Sequence, residues 1–156
     1  MTMRRSPRRR WNRGQAMVEF ALVAPMFFLL LFGIIEAGRF IFYYETLSHA
    51  TREGARYAIV NGANTLGCPS GPPAPGSSAC DVPGNNVITR VRQAAFGVLN
   101  PITVTPEWLD GSGLPGNNGR GQTIRVEATY TYHSMVPLVP LPPINVTAES
   151  TLVINN

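Results

Sequence analysis

Apolar residues run from Phe20 to Ile35 without one charged side chain, and Glu19 and Glu36 bracket the run. As a helix, this stretch spans roughly 24 Å, a little short of a hydrocarbon core about 30 Å thick. Ala16, Met17 and Val18 lengthen it on one side. Phe40, Ile41, Phe42, Tyr43 and Tyr44 lengthen it on the other, where aromatic rings suit a membrane interface. The pattern predicts a transmembrane helix over 15–44. Pro25 removes one helical hydrogen bond and predicts a bend at that point. Beyond Tyr44 the period stays helical. Glu45, His49, Arg52 and Arg56 form a polar stripe, while Tyr43, Leu47, Ala50, Gly54 and Ala58 form a second stripe of mostly small residues. An amphipathic continuation is therefore expected over 45–60, with Gly62 as its stop and a face to bury against a globular domain or another subunit. Within it, Arg52-Glu53-Gly54-Ala55-Arg56 reads as helix surface around a close-packing glycine.

After residue 60 the pattern changes. Glycine and proline punctuate 61–86, which predicts a loop with too little apolar content to pack. A short helix is expected over 86–99, capped by Asn85 or Asn86, with Val87, Ile88, Val91, Ala94, Ala95, Val98 and Leu99 facing inward. Residues 102–109 suit a short strand that Pro106 confines to a sheet edge or breaks. The clearest strand follows a glycine- and asparagine-rich turn: Ile124, Val126, Ala128, Tyr130 and Tyr132 alternate with Arg125, Glu127, Thr129 and Thr131. Pro137, Pro140, Pro142 and Pro143 make a stiff connector. A last strand places Ile144, Val146, Ala148, Leu152 and Ile154 on one side. The fold class is α+β: a long N-terminal transmembrane and amphipathic helix, then a head over 87–156 with one short helix and roughly two to four antiparallel strands.

Charge refines this picture. All 13 basic residues are arginine, six of them before residue 19 where there is no acid; residues 19–156 carry seven arginines against nine acids. A basic tail abutting an apolar helix is a topology signal, which puts the N-terminus in the cytoplasm and everything after Tyr44 outside. Nucleic acid is not an expected partner. Cys68 and Cys80 both fall in the segment placed outside, where disulfides persist. Bonding them would stabilise the loop by about 3 kcal/mol in the chain-entropy model and would be its main constraint. With His49 and His133 distant, the cysteines lack ligand spacing, so neither metal nor cofactor is expected. No Ser/His/Asp triad, phosphate loop or paired-carboxylate cleft is present, and an enzyme is not expected.

Gly14 closes the basic leader, 1–14, and Glu19 follows at the head of the apolar run. A membrane aspartyl peptidase that removes leaders on the cytoplasmic side needs a short flexible residue at the cut and an anchored apolar helix. Gly14 and Gln15 fit that cut, as in the substrates of a prepilin peptidase. Gln15 would then carry a free ammonium, and Glu19, one turn on, would meet it or that of a neighbouring subunit, since an ion pair suits both charges in a low dielectric. Glu36 and Arg39 read as a local i,i+3 pair with a snorkelling arginine. Two rivals stand beside this reading. One is an uncleaved signal-anchored binding protein; the other is a secreted protein cut near Ala37, whose flanking residues make a poor site.

Three blocks in order, Gly14-Gln-Ala-Met-Val-Glu19-Phe20-Ala-Leu-Val-Ala-Pro25, Gly33-Ile-Ile-Glu36-Ala-Gly38-Arg39 and Arg52-Glu53-Gly54-Ala55-Arg56-Tyr57-Ala58, resemble the TadE-like pseudopilins. These are minor, pilin-like proteins of the bacterial tight-adherence pilus and secretion apparatus. The resemblance implies cleavage by a dedicated prepilin peptidase and assembly with other pilins and pseudopilins. It also implies a cytoplasmic ATPase and a polytopic platform in the plasma membrane. Glu19 becomes the pilin-type glutamate, and Phe20, with the long segment after residue 60, points to the minor class. The implied location is single-pass in the bilayer, head outside, with incorporation into a filament.

Overall fold

The computed structural model describes residues 12–95, 99–135 and 142–155. Helix α1, Asn12–Val60, has 49 residues, a rod of roughly 74 Å at 1.5 Å per residue. The helix continues through Pro25. Helix α2 is Asn85–Ala94. Strands β1, Ile102–Leu109, β2, Thr123–Tyr132, and β3, Ile144–Val153, form one antiparallel sheet in the order β1-β2-β3. The α+β layout expected from the pattern is the one observed. Pro106 lies on the edge strand β1, opposite Val126, where a missing N–H costs no ladder bond on the outer side.

Both helices pack on one face of the sheet. The small-residue stripe of α1 is its buried side: Leu47, Ala50, Ala55 and Ala58 are fully buried with Val87 and Val91 of α2 and Ile124, Val126 and Ala128 of β2. The polar stripe, Glu45, His49, Arg52 and Arg56, is exposed. Gly54 explains why the stripe must be small. A Cβ there would collide with the Val91 side chain and touch Val126 and Val87 at 3.6 and 3.7 Å. Beside this seam, Arg90 of α2 reaches Glu53 of α1 at 2.7 Å.

The sheet runs alongside α1. At one end Ala63 donates to the Asn118 carbonyl at 2.9 Å, just before β2; midway Val126 faces Gly54; at the other end Tyr132 meets Glu36. Strand β3 returns antiparallel, pairing Ile144 with Tyr132 and Thr123 with Val153.

Two expectations give way. Helix α2 ends at Ala94, which is exposed; Leu99 is buried outside the helix, and Val98 lies outside the described residues, as do Pro137 and Pro140 of the connector. Neither Asn85 nor Asn86 supplies the cap. Gly84 takes the N-cap position with φ 76°, and no side chain of its own can help. The Asp81 carboxylate does the capping from outside the helix, accepting from Asn85 N at 2.8 Å and Asn86 N at 2.7 Å, with Ser70 Oγ at 3.2 Å. These are the donors a helix start leaves unpaired, and an anion there also suits the helix dipole.

The loop over 61–86 also packs, contrary to its composition. Cys68 and Cys80 are bonded, with Cα atoms 5.4 Å apart, but the bond is one constraint among several. Ser70 N donates to Asn61 O at 2.9 Å, Gly71 N to Asp81 O at 2.8 Å, and Asn118 N to Pro72 O at 2.7 Å. Fully buried Asn118 adds its side chain, accepting from Ala74 N at 3.1 Å and donating to Ser70 O at 3.3 Å. Trp108 of β1 lies against Gly71 and Gly84, so close that neither position has room for a Cβ. Polar backbone ties and one indole hold what few apolar side chains could not.

Asp81→Ala is expected to cost the head about 2 kcal/mol, by orphaning two helix-start donors and the Ser70 hydroxyl. Urea unfolding of the full chain in detergent micelles should show a lower midpoint at unchanged slope.

Candidate functional site

The apolar part of α1 carries the first candidate region. From Gly14 to Ile35 every residue but the partly covered Ala24 is exposed, including Phe20, Leu22, Met26 and Phe27. Among the described residues this is the one helix long and apolar enough to cross a membrane. A water-soluble fold does not leave such a surface bare. Gly14, Gln15, Glu19 and Phe20 lie in the first turns of α1, and the helix places Glu19 one turn from Gln15. Glu19 makes no ion pair or side-chain hydrogen bond among the described residues. Gly14 has nothing within 4 Å of a would-be Cβ.

The second region lies where the apolar run ends and extends well beyond the local Glu36–Arg39 pair. Glu36 is only 8% exposed. Its Oε1 accepts from the Tyr132 hydroxyl at 2.5 Å and from Met135 N at 3.2 Å, while Oε2 takes Arg39 Nη1 at 3.2 Å. Arg39 Nη2 reaches the Tyr43 hydroxyl at 3.3 Å, and its guanidinium lies 5.5 and 5.8 Å from the Tyr43 and Tyr132 ring centres. Phe40 and Tyr43 meet Tyr132 edge-on at 5.4 and 5.6 Å. Burial, followed by the neighbouring Glu36 carboxylate, pushes the Tyr132 phenol up to about 12, so it stays a donor.

Glu36 and Arg39 are therefore more than a local pair with a snorkelling arginine. They form a clasp that fastens the end of β2 to α1, within the 15–44 span the sequence assigns to the bilayer. The signal that could have exposed it is Glu36 itself, since an acid closing an apolar run needs a partner. Nothing local says that the partner is a tyrosine near the far end of the chain.

The outer sheet face is polar. Arg125 lies between Glu107 at 3.7 Å and Glu149 at 3.1 Å, and Thr129 and Thr147 share a hydrogen bond of 3.1 Å. Among the described residues no three His, Cys, Asp or Glu side chains gather to hold a metal.

Comparison with known proteins adds one finding on the N-terminal half. Residues 14–56 match the pattern of the TadE-like protein family, starting at Gly14 and ending at Arg56. The match takes in the exposed apolar helix, the Glu36–Arg39 clasp and the Gly54 seam, and leaves the sheet outside. No curated protein and no solved structure matches the chain.

Proposed function

We propose that this chain, TadE-like over residues 14–56, is a minor pseudopilin of a tight-adherence pilus or secretion apparatus. A prepilin peptidase removes the leader after Gly14. The bilayer holds the apolar helix, the head stands on the extracytoplasmic side, and the subunit then enters or primes a filament. The observation that carries the reading is the union of a family match beginning at Gly14 with an apolar helix that the head leaves uncovered.

The chemistry follows from that arrangement. Cleavage frees an ammonium on Gln15 one turn from Glu19. Both charges stand at the start of a surface that packs against lipid or neighbouring apolar helices, where an unpaired carboxylate is costly. Glu19 thus favours the register in which a subunit's ammonium, its own or a neighbour's, lies against it. The apolar face supplies affinity, and the ion pair supplies register. Partners are the peptidase, other pilins and pseudopilins, the assembly platform and the lipid itself.

N-terminal sequencing and intact mass of the protein from its native membrane test this directly. The mature chain should begin at Gln15, and Gly14→Val should leave the leader attached. A native chain beginning at Met1 or Thr2 would support a signal-anchored binding protein instead. One beginning near Gly38 would remove Glu19 and the mechanism with it.

A further inference from the structure

The membrane-proximal end of the head exposes apolar residues that the clasp holds at a defined height. Met135 gives its N–H to Glu36, yet its side chain is 75% exposed. Ile144, paired with Tyr132 across the sheet, is 38% exposed, and Pro142 and Pro143 just before it are exposed as well. Met135 is bonded to Glu36, and Ile144 lies across from Tyr132, which is bonded to it too, so both sit level with the end of the apolar run, and Pro142 and Pro143 lead into Ile144. The sequence between them, Val136 to Leu141, contains no charged residue.

Helix length fixes what lies at that level. An apolar run of roughly 24 Å falls about 6 Å short of the hydrocarbon core; Ala16, Met17 and Val18 extend it inward by roughly 4.5 Å, and the remainder, with the headgroup layer beyond it, falls past Glu36 along the helix. Ile41 and Phe42 agree with this: both lie beyond Glu36, point away from the head and are 59% and 56% exposed. The two charges at that depth are paired, with Glu36 buried and Arg39 partly exposed. Glu36 is buried under Tyr132 and Met135, and Arg39 keeps Glu36 and the Tyr43 ring against it. At this end the head presents Met135, Pro142, Pro143 and Ile144 beside the exposed Thr131, His133 and Asn145, a mixed surface of the kind an interface takes.

We propose that Met135, Pro142, Pro143 and Ile144 form a second membrane contact, seated in the headgroup layer of the outer leaflet beside the helix. The occupant is lipid, because Met135 and Ile144 stand at the height where the uncharged run of α1 ends and where Ile41 and Phe42 of the same helix are also exposed. An amphipathic surface of this kind gains by burying its apolar side chains at the acyl boundary. Before assembly the head would thus lie against the membrane at a set height. Extraction into a filament would strip lipid from the patch as well as from the helix. The inference rests on the membrane-spanning reading of α1.

The test uses the full chain, disulfide intact, in phosphatidylcholine vesicles containing nitroxide-labelled lipid. Single cysteines carrying an environment-sensitive fluorophore replace Met135, Ile144, Phe28 and Leu66 in turn (Met135→Cys, Ile144→Cys, Phe28→Cys, Leu66→Cys). Labels at 135 and 144 are expected to lose more than about half their emission to nitroxides near the headgroup while resisting aqueous iodide, as an interfacial apolar side chain should. The label at fully exposed Leu66 should do the reverse. If Phe28 is quenched by deep nitroxides but 135 and 144 behave like 66, the second contact is wrong and the span stands. Labels at 135 and 144 that resist both quenchers would mean protein covers the patch, which also overturns it. An unquenched Phe28 would sink the span and this proposal together.

Discussion

Gly54→Leu is expected to separate α2 from α1 and lower the stability of the head by about 3 kcal/mol or more, the usual scale for forcing extra carbon into a close-packed seam. Two effects oppose each other at this position. Glycine inside a helix costs about 1 kcal/mol relative to alanine, so any side chain gains that much in propensity. Against this, the first carbon added already collides with Val91, and Val126 and Val87 stand at 3.6 and 3.7 Å behind it. Valine has one preferred rotamer in a helix, so Val91 cannot swing aside cheaply. The steric term wins for leucine and, more narrowly, for alanine, whose Cβ is the carbon that meets Val91, so Gly54→Ala should itself cost about 1 kcal/mol net. Gly38→Ala is the control, since nothing lies within 4 Å of its would-be Cβ. Urea midpoints of the three full-length variants in one detergent should rank Gly38→Ala at or above the parent and Gly54→Leu far below it. Equal midpoints for Gly54→Leu and the parent would refute the seam.

Glu36→Ala should be nearly as damaging, about 3 kcal/mol, because it leaves several groups without the acceptor they were folded around. Tyr132 loses its partner at 2.5 Å, Met135 N–H its partner at 3.2 Å, and Arg39 its anion at 3.2 Å. Tyr132→Phe removes one donor and leaves Arg39 and Met135 on the carboxylate, so about 1 kcal/mol is expected. The double variant should cost less than the two singles added, since both delete the same bond. Amide hydrogen exchange reads the clasp locally. In Glu36→Ala the Met135 amide should lose protection while amides of β2 near Val126 keep theirs. Uniform loss along β2 would mean that the clasp is not a separable unit.

The sequence was most informative where one period governs a long stretch. The apolar run, the two stripes of α1 and the alternation of β2 are each repeated many times, and both helix faces emerged as their composition required. Signals of one or two residues fared unevenly. Pro106 at the edge strand was legible because proline's lost donor leaves few places in a sheet. The cap of α2 was not: two asparagines next to the helix start looked sufficient, but Gly84 turns the chain with φ 76° and Asp81 supplies both acceptors from farther back. The loop over 61–86 packs despite its composition for a related reason. Its order depends on Asn118 and Trp108, both remote in sequence. No local count of apolar residues includes them.

For the candidate site the division is similar. The roles proposed for Gly14, Gln15, Glu19 and Phe20 rest on sequence alone, because they depend on neighbours a few positions away and on the bilayer, whose thickness is known beforehand. The Glu36 clasp could not be completed, since it joins residues 36 and 132 through a hydroxyl whose position depends on the register of the whole sheet. Periodicity and charge by themselves determined that this protein has an apolar helix fit to span a membrane, an arginine-rich N-terminal segment and a small α+β head. Both are summed over many residues and survive any arrangement of the rest. Only the tertiary structure decided where the head is fastened to the helix, which glycine must stay bare and which acid caps α2. Each of those depends on a single contact between distant residues, and such contacts exist only once the chain has folded.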